Sequence, residues 1–262
     1  MATPLLSCAL AACGLDSEQA VRVDIPVVVD ASGTGDFTNA EGYTIHLTDL
    51  RVAFDDVEFT TGGEMHASLF RRLHDLIVPT AYAHPGHYAG GEITGEMEGR
   101  FVVDWLKDGA PLGNAQMLEA DYEGANFVFT RATADDVAAD DPLLGHTLHI
   151  AGTATKDGES WTFAAFVDEE EGKRVIGLPI GEEFEDGAAT PHYEVKEGTT
   201  DELGLEIVMV DPFEQDTALD NFDFATLDED GDGDLVFMPG EVPYNLLVKQ
   251  LQVHDQYWVR VR

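Results

Sequence analysis

Apolar residues in this chain recur at every second position over long stretches. Val21, Val23, Ile25, Val27 and Val29 form one such row, the period of a strand that turns one face to a core. Tyr43-Thr44-Ile45-His46-Leu47 alternates in the same way, as do Val52/Phe54 and Val57/Phe59. The pattern predicts further strands over 92–106, 115–122, 125–132, 145–155, 160–168, 173–180 and 203–210, the last with Leu203, Leu205, Ile207 and Met209 on one face. Turn residues separate them: Ser32-Gly33-Thr34-Gly35, Lys107-Asp108-Gly109, Lys156-Asp157-Gly158 and Glu171-Gly172. Asp-Gly tolerates the positive φ of tight hairpins. Many short strands joined by such turns predict a mainly β fold, specifically an antiparallel β-sandwich.

Two segments depart from this period. Met65, Leu69, Phe70, Leu73 and Ile77 are spaced as on a helix, which Pro79 ends. A short helical and His-rich insert is therefore expected over 65–88. The second departure starts at Asp211-Pro212. Leu219, Phe222 and Ala225, then Leu246, Leu247 and Leu251, predict two helices flanking an acidic loop. Tyr257-Trp258-Val259-Arg260-Val261 returns to strand spacing. The chain thus divides into a tether over 1–19, a sandwich domain over 20–210, and a C-terminal helix–loop–helix over 211–262 that comes back to a terminal strand.

Charge narrows the function. Fourteen Lys and Arg stand against 51 Asp and Glu, a net −37 in 262 residues. Such a surface repels phosphate backbones and anionic headgroups, so no nucleic-acid partner and no basic membrane-docking patch is expected. It suits cations and high salt. With 44% hydrophobic residues the chain can bury enough apolar area to fold.

Both cysteines, Cys8 and Cys13, lie at the N-terminus. No zinc-thiolate site, disulfide framework or cysteine nucleophile is therefore expected beyond them. The apolar run ending in Leu10-Ala11-Ala12-Cys13, followed at once by polar residues, resembles a bacterial lipobox. That resemblance implies lipidation at Cys13, an address in the bacterial cell envelope (periplasm-facing or on the cell surface), and membrane contact only through the lipid anchor. The run is too short to span a bilayer, and no other stretch reaches the roughly 18 apolar residues a spanning helix needs.

The most specific chemistry lies in Asp228-Glu229-Asp230-Gly231-Asp232-Gly233-Asp234-Leu235. Calcium is a hard cation that takes about six to eight oxygens. Carboxylates at alternate positions let a curling backbone aim several of them inward. The segment resembles the EF-hand calcium loop. Asp228, Asp230 and Asp232 match its first three alternating ligands, Gly233 the glycine at the sharp turn, Asp234 the position whose carbonyl serves, and Leu235 the apolar position after it. Pro239 stands where that loop carries its closing Glu, so Glu241 is the acid expected to close the site. No second such loop occurs, and a single one fused to a β-domain points to stabilisation rather than signalling.

His84 and His87 flank a Pro-Gly turn that can aim two imidazoles at one point, and Met65 and His66 precede them. Imidazole with thioether suits copper, and imidazole alone suits zinc as well. The cluster resembles the His-rich elements of periplasmic copper carriers. Of the others, His46 and His149 are expected to point away from the core face, and His146 toward it. His254-Asp255 is expected to be an ordinary pair.

Hydrolytic motifs are missing: there is no Gly-x-Ser-x-Gly, no His-Glu-x-x-His and no phosphate-cradling glycine loop. The reading is a non-catalytic, metal-binding envelope lipoprotein whose partners are metal ions. Calcium is expected in the acidic loop and copper or zinc at the histidine turn. An alternative is a calcium-stabilised adhesion or carbohydrate-binding module. A carboxylate-pair hydrolase ranks last. Eleven acids fall within 211–241, so one local cation site accounts for part of the charge. The rest fits a strongly solvated or haloadapted surface.

Overall fold

A computed structural model describes residues 21–61, 91–169, 172–181, 192–210, 217–253 and 256–262. The protein is mainly β, built on one large mixed sheet of 13 strands. In chain order these are β1 (Arg22–Asp30), β2 (Phe37–Thr38), β3 (Thr44–Thr61), β4 (Glu92–Asp104), β5 (Pro111–Leu118), β6 (Ala120–Phe129) and β7 (Leu148–Lys156). Then follow β8 (Glu159–Val167), β9 (Arg174–Gly181), β10 (Tyr193–Val195), β11 (Leu203–Ile207), β12 (Asp234–Phe237) and β13 (Tyr257–Val261). Two helices, α1 (Phe224–Leu227) and α2 (Val242–Leu251), bracket β12. No helix of the described residues is long and apolar enough to cross a membrane.

β3 organises the sheet. Its 18 residues replace the three separate runs that alternation suggests. One edge carries β4 along Arg51–Thr61. The opposite edge carries β7 along Thr44–Val52 and then β6 along Phe54–Thr61. A bulge at Asp56 (φ 43°), whose carboxylate takes the Gly99 amide at 2.8 Å, keeps the pairing in step.

From β3 the ladder passes through β4, β5, β1, β11, β13, β9 and β6 and returns to β3. It is a closed circuit of eight strands. Closure removes the open edges that invite aberrant pairing. β7, β8 and β12 extend from it as an arm.

Three pairs, β1·β11, β8·β12 and β9·β13, are parallel. The sheet is therefore mixed rather than purely antiparallel. Asp157-Gly158 (φ 54° and 88°) closes the β7–β8 hairpin as its sequence requires. The parallel pairs join strands far apart in the chain, where no turn signature exists to announce them.

Ile25, Val27, Leu205, Ile207, Phe54, Phe59, Phe127 and Phe129 all belong to one large buried cluster, with Trp105 and Tyr257 fully enclosed in it. A second, small cluster of Ala53, Ala132 and Leu143 lies apart from it.

Two expected elements differ. The run 115–122 is broken at Glu119, between β5 and β6. The apolar spacing of Leu219, Phe222 and Ala225 yields only the four-residue α1, preceded by turns. The buried Asn39 side chain explains the shortening: its Nδ2 donates to the carbonyls of both Leu219 and Phe222 at 3.0 Å. Those are the acceptors a longer helix would use. Leu219 and Phe222 are still buried, so the apolar positions mark the core without marking a helix.

Candidate functional site

The acidic loop runs from α1 into β12. Asp223 caps α1: its carboxylate accepts the Thr226 hydroxyl at 2.8 Å and the Tyr43 hydroxyl at 2.6 Å. The Tyr43 oxygen in turn accepts the Ala225 amide at 3.1 Å. The Tyr43 hydroxyl, with Thr226, holds the Asp223 carboxyl below the usual carboxylate range. Burial, followed by the Asp223 carboxylate, pushes the Tyr43 phenol up. Tyr43 also meets Trp161 edge-on at 5.5 Å and Phe224 at 5.1 Å. The start of the loop is thereby fixed to the sheet.

Asp228 ends α1 and anchors the loop. Its Oδ1 accepts the Gly231 amide at 3.0 Å, and its Oδ2 accepts the Gly233 amide at 3.1 Å and the Trp161 indole N–H at 3.1 Å. Asp230 accepts the Asp232 amide at 3.3 Å, and Asp232 accepts the Asp234 amide at 2.8 Å. Gly231 and Gly233 take φ of 73° and 81°, the left-handed region that side chains avoid. This succession of turns curls the backbone so that Asp228, Asp230 and Asp232 each bring one carboxylate oxygen to within 4.8 Å of the others. Asp230 and Asp232 are exposed and Asp228 is half-buried.

The other two expected ligands are placed differently. The Asp234 carboxylate accepts the Thr162 hydroxyl from β8. Glu241 accepts the Met238 amide at 2.8 Å and stands at the N-terminus of α2. Asp234 to Phe237 then pair with Thr162 to Ala165. Leu235 and Phe237 are buried beneath that seam. Three convergent carboxylate oxygens form a hard, anionic donor set suited to calcium or magnesium, with neither thiolate nor imidazole to attract a softer metal.

Nothing in the loop's own sequence announces Tyr43, Trp161 or Thr162, which reach it from the turn before β3 and from β8. Trp105, Trp161 and Trp258 are all buried, so no tryptophan face is open for sugar stacking.

Cys13, Met65, His66, His84, His87 and the His254-Asp255 pair lie outside the described residues. Of the remaining histidines, His46 is exposed and pairs with Asp36 at 2.7 Å. His146 and His149 differ from expectation in burial. His149 leaves the main core face but is buried at 7% exposure, its Nδ1 2.9 Å from Asp49 and its ring stacked on Phe166. His146 is the more open of the two and pairs with Asp168 at 3.0 Å. The outward face of β7 is covered here, which alternation alone does not reveal. Arg51 completes this group by holding Asp49 and Asp141 at 2.7 Å each.

Comparison with protein-family models, curated proteins and solved structures finds no match to this chain.

Proposed function

We propose that the protein binds calcium in the loop at Asp228, Asp230 and Asp232, as a non-catalytic metal-binding protein of the bacterial envelope. The convergence of those three carboxylate oxygens within 4.8 Å carries the reading. The backbone carbonyl of Asp234 and the carboxylate of Glu241 complete the shell in this proposal. Glu241 reaches the ion by giving up the Met238 amide. Tethering through a lipid at Cys13, and copper or zinc at His84 and His87 with His66 and Met65, belong to the same proposal. We also read the closed eight-strand ladder as a two-layered body, the sandwich that alternation predicts. In it α1, the loop and α2 act as an EF-hand-like unit whose β12 leans on β8 instead of on a second hand.

Calcium titration followed by melting temperature tests this. A ligand that binds only the folded state at a hundred times its Kd stabilises by about 2.7 kcal/mol. Trp161 fluorescence should change in the same titration, because its indole donates to Asp228. Asp230 is exposed and its side chain accepts a single backbone amide from within the loop. Asp230→Asn should therefore fold normally and weaken calcium at least about tenfold, the loss of one charged ligand. A melting temperature and fluorescence unmoved by millimolar calcium would remove the reading.

A further inference from the structure

A second acidic group lies at the seam where β1, β11 and β13 meet. Glu206 on β11 is 2% exposed and Asp30 at the end of β1 is 7% exposed. Between them stands Ser32, its hydroxyl oxygen 2.5 Å from Asp30 Oδ1 and 2.9 Å from Glu206 Oε1. Asp30 Oδ1 also accepts the Ser32 amide at 3.0 Å. The second oxygen of Glu206 is bonded to Arg260 Nε. Arg262 lies 3.9 Å from Asp30 and 3.3 Å from Asp108.

A serine hydroxyl has one hydrogen and can donate it once. Donated to Asp30, the closer acceptor, it leaves lone pairs facing Glu206 Oε1. Two oxygens at 2.9 Å with no hydrogen between them repel, and burial makes that repulsion costly. A proton on Glu206 Oε1 resolves the conflict.

We propose that Glu206 takes up a proton and donates to Ser32, which donates to Asp30, and that this chain of hydrogen bonds is a pH-sensitive latch on the seam closing the ladder. Among the described residues, the groups facing Glu206 are Asp30 and Ser32 from the β1 side and Arg260 from β13, with Arg262 and Asp108 beyond Asp30. The seam has no slack: a Cβ built on Gly33 would lie 2.3 Å from the Ile207 carbonyl oxygen and 2.9 Å from Glu206 Oε1. Losing the proton leaves a carboxylate against the serine lone pairs inside that junction. Burial raises the Glu206 carboxyl above its ordinary value, against the opposing pull of Arg260. The folded state therefore holds a proton that the unfolded chain releases, so stability falls as pH rises from the ordinary carboxylate value through the folded one.

The test is unfolding by urea across pH, comparing the native protein with Glu206→Gln. Gln keeps a donor for Ser32 and an acceptor for Arg260. Through the titration window, the native folding constant should fall relative to the variant by up to about tenfold per pH unit, as one linked proton requires. Infrared spectra in heavy water supply a second readout. The native-minus-variant difference should contain one protonated-carboxyl C=O band that persists above the ordinary carboxylate range and disappears as pD rises further. If Glu206→Gln does not fold, Ser32→Ala, which breaks the relay at its middle, should shift or abolish that band. Parallel pH profiles, or difference spectra without the band, would overturn the proposal.

Discussion

Arg51→Ala is expected to lower the stability of this protein by about 2–4 kcal/mol, the cost of breaking a partly buried, twice-bridged ion pair from one side. The guanidinium is only 15% exposed and holds two carboxylates at once. Nε and one terminal nitrogen take both oxygens of Asp49 at 2.7 Å, while the other takes both oxygens of Asp141 at 2.9 and 2.7 Å. Asp49 also holds His149, so one truncation loosens β3, β7 and the loop carrying Asp141 together. Arg51→Lys should recover little, because an ammonium group cannot grip two carboxylates in a planar fork. The pH response separates this network from simple packing loss. Bonding to Arg51 is the main reason the Asp141 carboxyl titrates below its usual range. Its contribution is present above the ordinary carboxylate pKa and is lost as pH falls through the lowered one. The variant should lack that acid-side loss. Urea midpoints that match the native protein at both neutral and acid pH would contradict the assignment.

Tyr257→Ala should cost a comparable amount, about 3–5 kcal/mol for removing a large buried aromatic. Tyr257 is fully buried on β13 and lies against Phe127 at 5.0 Å and Trp105 at 6.2 Å. β13 is the link between β11 and β9, so the cavity opens where the circuit joins. Its hydroxyl donates to the Leu251 carbonyl at 2.9 Å, at the end of α2. Tyr257→Phe should therefore cost about 1–3 kcal/mol by stranding that buried acceptor. Equal losses in the two variants, measured by denaturant unfolding, would place the ring's role in that one hydrogen bond and refute the packing argument.

Local chemistry was readable in the sequence, and distant pairing was not. The rows Ile25/Val27/Val29 and Leu203/Leu205/Ile207 mark strands because period 2 is a property of a few neighbouring residues. Asp157-Gly158 marks a hairpin for the same reason. Asp228, Asp230 and Asp232 could be picked out because alternation and Gly233 together prescribe the curl of one short loop. By contrast, the parallel contact of β1 with β11 depends on residues that share no turn. The covered outer face of β7, which buries His149, depends on a loop whose landing place no local pattern encodes. Arg51 is one of few cations in an acidic chain, yet nothing beside it in sequence announces Asp141. The apolar positions at Leu219 and Phe222 were legible as core, but Asn39, from the far end of the chain, decides that they are turns.

The closed ladder also sets an order of events in time. The partner of Val27 is Leu203, so one edge of β1 stays unsatisfied until β11, far along the chain, has been made. β3 and β4 can zip early, and β7 and β8 can form their hairpin, but the circuit must wait for β11 and β13. Contacts so distant along the chain make folding slow, because loop-closure entropy is lost before the contacts that offset it form. In a polypeptide with this topology the local hairpins come first, and the circuit is sealed only when β11 and β13 are seated between β1 and β9.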